Sequence, residues 1–236
     1  MRKKNKIYVV GPSVGYAKWI DKAILVNSLD IADLVLFTGG EDVTPKLYGQ
    51  NIHPKTSYNI KRDISEQIIF KKAAFQGIPM LGICRGSQFL TVMNGGELIQ
   101  DVNNHAGIIH SITFDNGELH EITSTHHQMM FPYNLDKADY KLVAWSTERR
   151  SSHHENGDGV DIKQLISTKQ NTYCSICRKK MIDMPSALNH NCFKEPEIVF
   201  YKKTKSLAVQ GHPEMMNEKA QIIKKLNSLI KELLWN

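Results

Sequence analysis

A cysteine set between glycines is the residue of this chain best placed to do chemistry. Cys84 follows the apolar run 80–83 and lies between Gly82 and Gly86, and helix-forming sequence begins directly after it. A buried strand that turns sharply into a helix through glycines holds a nucleophile at the helix N-terminus. The positive end of that helix lowers the pKa of a thiol and stabilises an oxyanion beside it. The pattern predicts a nucleophilic cysteine; a buried structural cysteine in a βα unit is the alternative.

A histidine near the far end of the chain is a candidate base for this thiol. The run 207–210 indicates a short buried strand, and it leads through Gly211 into His212, Pro213 and Glu214. A carboxylate two residues beyond an imidazole can orient the ring and hold the tautomer that accepts the thiol proton. Taken alone, a histidine after a strand more often has a structural role.

Taken together, the two segments resemble the class I glutamine amidotransferase family. The shared features are a Gly-x-Cys-x-Gly-x-Gln elbow and a C-terminal His-Pro-Glu step. Other motifs resemble the γ-glutamyl-γ-aminobutyrate hydrolase and γ-glutamyl hydrolase branch of that family. They are residues 38–48, Arg62 and Asp63 with Glu66, Arg85, residues 95–101 and residues 124–128. These motifs follow the family's order and cover most of the chain.

The resemblance implies a role for each matching position. Cys84 would attack the γ-carbonyl of a glutamyl amide, His212 would act as general base and then acid, and Glu214 would orient His212. The backbone N–H groups of Gly40 and Arg85 would form the oxyanion hole. Three polar residues would hold the α-amino and α-carboxylate ends of the glutamyl group: Gln88, His127 and Gln128.

The chain departs from the family in an insertion at about residues 170–193. This segment carries every cysteine other than Cys84, and its candidate ligands are Cys174, Cys177, His190 and Cys192. A Cys-x2-Cys pair followed by a His-x-Cys step offers the four ligands of a closed, structural zinc site. The His-x-Cys spacing is tight, so His153 or His154 is an alternative fourth ligand, and unligated thiols on a loop are the alternative to zinc. We expect zinc to stabilise a segment too short and polar to fold on its own core.

The resemblance therefore implies a hydrolase that cleaves glutamine or a γ-glutamyl conjugate, releases glutamate through a γ-glutamyl thioester and needs no cofactor for catalysis. One alternative is a glutaminase subunit that delivers ammonia to a separate synthetase partner. Another is a catalytically idle scaffold that recruits a partner through the insertion. The presence of Cys84, His212 and Glu214 favours the enzyme.

The elements that must position these residues alternate between strands and helices. Expected strands are residues 6–10, 33–37, 80–83, 197–201 and 206–210, with further strands in 107–146. Expected helices are residues 16–29, 62–76, 86–93 and 217–234, the second with Ile64, Ile68, Ile69 and Ala73 on its core face. The pattern predicts one α/β domain over residues 1–236, with a mainly parallel sheet, helices on both faces and a small zinc-binding insertion.

Composition and charge limit the class of protein. The 41% hydrophobic content is ordinary for a globular protein, and no apolar run approaches the roughly 20 residues of a membrane span. The apolar stretch near the N-terminus ends at Gly11, too early for an export signal, so we expect a cytoplasmic protein. The net charge of +6 indicates either a solvated surface or attraction to an anionic substrate or partner. No aromatic platform accompanies the basic clusters, so nucleic-acid binding is not favoured.

Overall fold

A nine-stranded sheet forms the centre of the computed structural model, which describes residues 5–158 and 193–236. One half contains β1 (Lys6–Val10), β2 (Ile24–Val26), β3 (Leu34–Phe37), β4 (Met80–Ile83) and β13 (Ser206–Val209). The other half contains β7 (Ala106–Phe114), β8 (Leu119–Thr125), β10 (Tyr140–Ser146) and β12 (Pro196–Tyr201). The strand order is β2-β1-β3-β4-β13-β12-β10-β7-β8.

The sheet is mixed, which corrects the expectation of a mainly parallel one. Four of its eight strand pairs are parallel. The other four are antiparallel, because β12 and β13 form a hairpin and residues 106–146 fold back and forth beside it. Two small antiparallel ladders pair β5 (Glu97–Ile99) with β9 (Met129–Phe131) and β6 (Asp101–Val102) with β11 (His154–Glu155).

Helices cover both faces of the parallel half, as expected. Helices α1 (Ile60–Phe75) and α2 (Arg85–Met93) pack on one face, where Phe70 and Phe89 meet Phe37 of β3. Helix α3 (Gln221–Leu229) and the π-helical turn after it (Ile230–Leu234) cover the other face. Because side chains alternate along a strand, Leu36 and Phe37 belong to opposite cores.

Two expectations about helices were wrong. Residues 16–29 do not form one helix; short 3-10 turns at Val14–Ala17 and Leu29–Ile31 lie on either side of β2. The serine before each turn accepts a hydrogen bond from a backbone N–H two residues on, which favours a short capped turn over a long helix. In α1, Ala73 is buried and Ile69 packs against the core as expected, but Ile64 and Ile68 are about half exposed, and the buried face carries Asp63 and Glu66.

The predicted zinc ligands Cys174, Cys177, His190 and Cys192 lie outside the described residues. Within the described ranges, no helix is long and apolar enough to cross a membrane.

Candidate active site

Cys84 occupies a strained turn between β4 and α2. Its backbone has φ 51° and ψ −112°, a positive-φ conformation that costs a non-glycine residue on the order of 1–3 kcal/mol. The two nearby glycines are needed because there is no room for a side chain at either position. A Cβ atom at Gly82 would lie 2.4 Å from the carbonyl oxygen of Gly86, and one at Gly86 would lie 2.2 Å from that of Phe37. The elbow therefore depends on both glycines, and it places the thiol at the N-terminus of α2.

His212 lies beside Cys84 because β13 runs parallel to β4 and ends at the same edge of the sheet. Its Nδ1 donates to Glu214 Oε1 at 2.6 Å, and the imidazole borders the same pocket as Cys84. Burial lowers the pKa of His212, but the interactions with Cys84 and Glu214 outweigh burial and raise it to about 10. The structure thus brings the three predicted catalytic residues together, with His212 between Cys84 and Glu214.

These residues meet at a pocket of about 310 Å³. Every predicted oxyanion and substrate-binding residue borders it, together with Cys84 and His212. The full lining is Tyr16, Gly40, Asp42, Cys84, Arg85, Gln88, Thr125, His126, His127, Gln128, His212 and Met215. Glu214 is buried beyond His212 and does not line the pocket.

Gly40 and Arg85 approach the thiol from two sides of this pocket. Gly40 has φ 140°, and a Cβ atom there would lie 2.1 Å from Nη1 of Arg62, so only glycine fits. Arg85 is the first residue of α2, where a backbone N–H has no partner within the helix. Both N–H groups therefore belong to segments that suit them to stabilise an oxyanion formed on the substrate.

Four charged residues contact one another beside the loop that contains Gly39 and Gly40. We call Arg62, Asp63, Glu66 and Arg85 the arginine network. The buried Arg85 guanidinium forms ion pairs with Asp63 and Glu66. Glu66 also accepts from Nε of Arg62 at 2.7 Å. Arg62 in turn donates to the backbone oxygens of Thr38 and Gly39, at 3.1 and 3.0 Å. The network thus connects α1 and α2 to the loop that carries Gly40.

The three predicted substrate-binding residues differ in exposure. Gln88 and Gln128 are buried, and Nε2 of Gln88 donates to the backbone oxygen of Gln128 at 3.0 Å. His127 is more exposed, and its Nε2 lies 3.2 Å from a carboxylate oxygen of Asp42. The hydrogen bond to Asp42 raises the pKa of His127. His127 is therefore the best candidate for a positive charge at the pocket wall.

Tyr16, Asp42 and Thr125 are pocket residues that the sequence did not single out for the site. The hydroxyl of Thr125 lies 2.7 Å from Nε2 of His212. Burial, together with the charges of Glu214 and Cys84, raises the pKa of Tyr16 to about 12, so its hydroxyl stays protonated. Thr125 directly precedes the 126–128 motif, and Asp42 lies within the 38–48 motif, so proximity to a motif was the available signal for these two.

The structure also gives the positions of His126 and of the two alternative zinc ligands, His153 and His154. His126 borders the pocket but is buried, and burial and the neighbouring His105 and His110 hold its pKa well below the usual value. His153 lies 2.9 Å from Asp101, and His154 lies 3.2 Å from Glu195. Both alternative ligands therefore already have carboxylate partners.

Comparison with known proteins agrees with this arrangement. A family model described as Peptidase C26 matches residues 12–164. A Mycobacterium tuberculosis protein named as the glutamine amidotransferase Rv2859c is 42% identical over 83 residues, which are 34% of this chain and 27% of that protein. A Rickettsia prowazekii protein, named as the glutamine amidotransferase-like protein RP404, is 25% identical over 225 residues, covering 87% and 79% of the two chains. The chain spans about a third or less of the length of the first curated relatives it matches.

A solved structure supports the fold. A glutamine amidotransferase from Thermotoga maritima superimposes with a TM-score of 0.52 at 13% identity, covering 99% of this chain and 96% of that one. The family match covers more than half of the chain, and it includes the elbow and the pocket motifs of residues 38–48 and 124–128. The chain therefore belongs to the Peptidase C26 family and has a fold of the class I glutamine amidotransferase type.

Proposed function

We propose that this protein is a cysteine hydrolase that cleaves the γ-glutamyl amide bond of glutamine or of a γ-glutamyl conjugate. The observation that carries the proposal is the placement of Cys84 and His212 at one pocket bordered by Gly40 and Arg85, with His212 hydrogen-bonded to Glu214. Nucleophile, base and orienting carboxylate stand in the order that acyl transfer requires.

In the first half of the reaction, the Cys84 sulfur forms a bond to the γ-carbonyl carbon of the substrate. The proton of the Cys84 thiol is held on Nε2 of His212, in keeping with the raised pKa of that imidazole, and the Nδ1 proton stays in its hydrogen bond to Glu214. The negative charge on the carbonyl oxygen is stabilised by the backbone N–H groups of Gly40 and Arg85. His212 then gives its proton to the departing nitrogen, the C–N bond breaks, and a γ-glutamyl thioester remains.

In the second half, a water molecule attacks the thioester while His212 accepts its proton. The C–S bond breaks, glutamate leaves, and the proton that remains on His212 again pairs with the sulfur. Every proton transfer in the two halves passes through His212. Thr125 keeps the imidazole in the same orientation throughout, because its hydroxyl can accept from or donate to Nε2.

The pocket walls favour an amino-acid head group. A volume of about 310 Å³ is at the small end for ligand sites, which suits a glutamyl group whose amide substituent extends toward the solvent. His127, with its raised pKa, suits the α-carboxylate, and Asp42 beside it suits the α-ammonium. Gln88 and Gln128 border the same pocket and can supply neutral hydrogen bonds.

The proposal is tested by glutamate release from a panel of γ-glutamyl amides, including glutamine, γ-glutamyl-γ-aminobutyrate and γ-glutamyl nucleotides. Cys84→Ala and Cys84→Ser should lose turnover by at least about 10³-fold, since the covalent route is removed. Lys71→Met, which changes an exposed residue that does not line the pocket, is the control and should retain turnover. Mass spectrometry of the quenched wild-type reaction should show the γ-glutamyl adduct on the peptide that contains Cys84.

The same assay separates the alternatives. Release of glutamate by the chain alone supports the hydrolase. Turnover of glutamine that appears only with a synthetase partner would assign ammonia delivery instead. Near-wild-type turnover by Cys84→Ala would refute the nucleophile assignment, and no turnover of any amide by the wild type would favour a scaffold.

We also propose that the insertion carries one structural zinc ion, held by Cys174, Cys177, His190 and Cys192. The support is the ligand pattern itself, which matches four-coordinate structural zinc. The insertion lies directly before β12 and β13, which lead to His212. A folded insertion could therefore set the position of that hairpin.

A further inference from the structure

A buried cluster of histidines and glutamates lies next to the pocket, on the antiparallel half of the sheet. We call His105, His110, His126, Glu195 and Glu197 the histidine–glutamate cluster; each of its side chains is at most 3% exposed. The ring of His126, which borders the pocket, stacks on His105 with a centroid distance of 4.7 Å. The proposed reaction uses none of these side chains.

Three members of the cluster point ligand atoms at a common position. One ligand atom each from His105, His126 and Glu197 lies within 4.8 Å of the other two. Nδ1 of His105 is 3.7 Å from Oε1 of Glu197, too far for a hydrogen bond. Two ligands of a tetrahedral zinc ion, each bound at about 2.0–2.1 Å, stand about 3.4 Å apart. The spacing therefore suits two atoms that share a metal.

The hydrogen bonds assign the ring protons. Nε2 of His105 lies 3.2 Å from a carboxylate oxygen of Glu195, and Nδ1 of His126 lies 2.8 Å from the backbone oxygen of Gln128. Both partners only accept, so these two nitrogens carry the protons. His105 Nδ1 and His126 Nε2 are then bare lone pairs, and neither has a hydrogen-bond partner among the described residues.

Glu197 adds a buried carboxylate to the same cluster. Its Oε1 accepts from His110, and its Oε2 is buried without a hydrogen-bond partner within the described ranges. Buried acceptors without partners are costly unless something near them supplies positive charge. One shared proton would satisfy a single pair of these atoms, whereas a metal ion satisfies all three.

The surrounding charge also favours a cation. In the described part of the chain, the only basic side chains paired with the buried Glu195 and Glu197 are histidines, and a neutral histidine supplies no charge to offset a carboxylate. A divalent ion would neutralise the two carboxylates. The outer hydrogen bonds fit as well, because metal-binding histidines usually donate their second ring N–H to a carboxylate or a backbone carbonyl.

We propose that His105, His126 and Glu197 bind a divalent transition-metal ion, zinc by the chemistry of the donor set. Imidazole nitrogen and carboxylate oxygen are ordinary zinc ligands, and a fourth position remains open. His110 orients Glu197 by donating to its Oε1 at 2.8 Å, and Glu195 orients His105. The ion joins β12 to the ends of β7 and β8, and so supports Thr125 beside His212.

The test measures metal content in a triple variant that combines Cys174→Ser, Cys177→Ser and Cys192→Ser. The insertion of this variant has no thiols. Purified without chelators and analysed by mass spectrometry, this chain should retain about one zinc per molecule, and His126→Gln in the same background should retain less than about 0.1. The matched control is His120→Gln, which changes a histidine hydrogen-bonded to a carboxylate, Glu118, outside the cluster. Its metal content should not change.

Two further measurements keep the test decisive where His126→Gln fails to fold. Cobalt(II) bound to the chain with the thiol-free insertion should show the visible bands of a nitrogen and oxygen site, without sulfur charge transfer. Glu195→Gln should weaken metal affinity by about 10–100-fold, the effect of removing a partner that orients a ligand. A chain with the thiol-free insertion that neither retains zinc nor binds cobalt at micromolar concentration would overturn the proposal, as would metal lost on His120→Gln but kept on His126→Gln.

Discussion

Replacing Arg85 with methionine is the sharpest test of how the elbow is supported. The guanidinium is 2% exposed, and it forms ion pairs with Asp63 and Glu66, which are 0% and 1% exposed. Methionine is unbranched and fills most of the same space, so the main effect is electrostatic. The change leaves two buried carboxylates facing each other without their shared cation.

The size of the effect follows from these contacts. Removing one partner of a buried ion pair costs about 3–5 kcal/mol, because the remaining charge is left uncompensated. Arg62 still contacts Glu66 at 2.7 Å, which relieves one of the two carboxylates, so we expect the loss to stay within that range. For a domain of this size, about 2–4 °C per kcal/mol gives a fall in Tm of roughly 6–20 °C.

Denaturant unfolding followed by circular dichroism measures this loss. The control is Lys71→Met, which removes an exposed cation from α1, the helix that carries Asp63 and Glu66. It should change the unfolding free energy by less than about 0.5 kcal/mol. Adding Asp63→Asn to Arg85→Met should recover part of the loss, since one uncompensated charge is removed. A loss below about 1 kcal/mol for Arg85→Met would refute the reasoning, because it would mean that the carboxylates do not need the guanidinium.

Three further predictions concern the base and the insertion. Glu214→Gln should move the alkaline limb of the kcat/KM profile to lower pH, because Glu214 helps raise the pKa of His212 to about 10; an unchanged limb would contradict that role. The same raised pKa means that the stability contributed by protonated His212 is fully present below about pH 6.5 and is lost as the pH rises through about 10, which unfolding at a series of pH values measures. Cys177→Ser should remove about one zinc per chain and lower activity toward a large anionic γ-glutamyl substrate more than toward glutamine, because remote contacts supply binding energy that glutamine does not use. Equal losses for both substrates would mean that the insertion only supports the fold.

The residues of the elbow were predictable because their pattern is local. Gly82, Cys84 and Gly86 lie within five positions, and the backbone conformation of one turn decides what each position tolerates. His212 and Glu214 are also two residues apart, so their contact needs no distant element. That Cys84 and His212 belong together came from the family resemblance, and the structure brings them together because β4 and β13 are parallel neighbours.

The buried face of α1 was not predictable from apolar periodicity. Ile64 and Ile68 suggested the core face, yet both are about half exposed, while Asp63 and Glu66 are buried. A periodicity argument places charged residues in solvent, since an unpaired buried charge is costly. The charges of Asp63 and Glu66 are compensated by Arg85, which comes from another helix and cannot be assigned to them by spacing.

The sequence by itself indicated the candidate nucleophile and its turn, and the step that carries the candidate base and its orienting carboxylate, because these depend on residues within one or two turns of backbone. It also indicated the α/β class, because strand and helix patterns alternate along the chain. Only the tertiary structure decided the mixed sheet, the arginine network, the pairing of Asp42 with His127 and the histidine–glutamate cluster. In that cluster, His105 and Glu197 are far apart in the chain and meet because β7, β10 and β12 are neighbours in the sheet. Such contacts depend on strand order and register, which no local pattern of residues specifies.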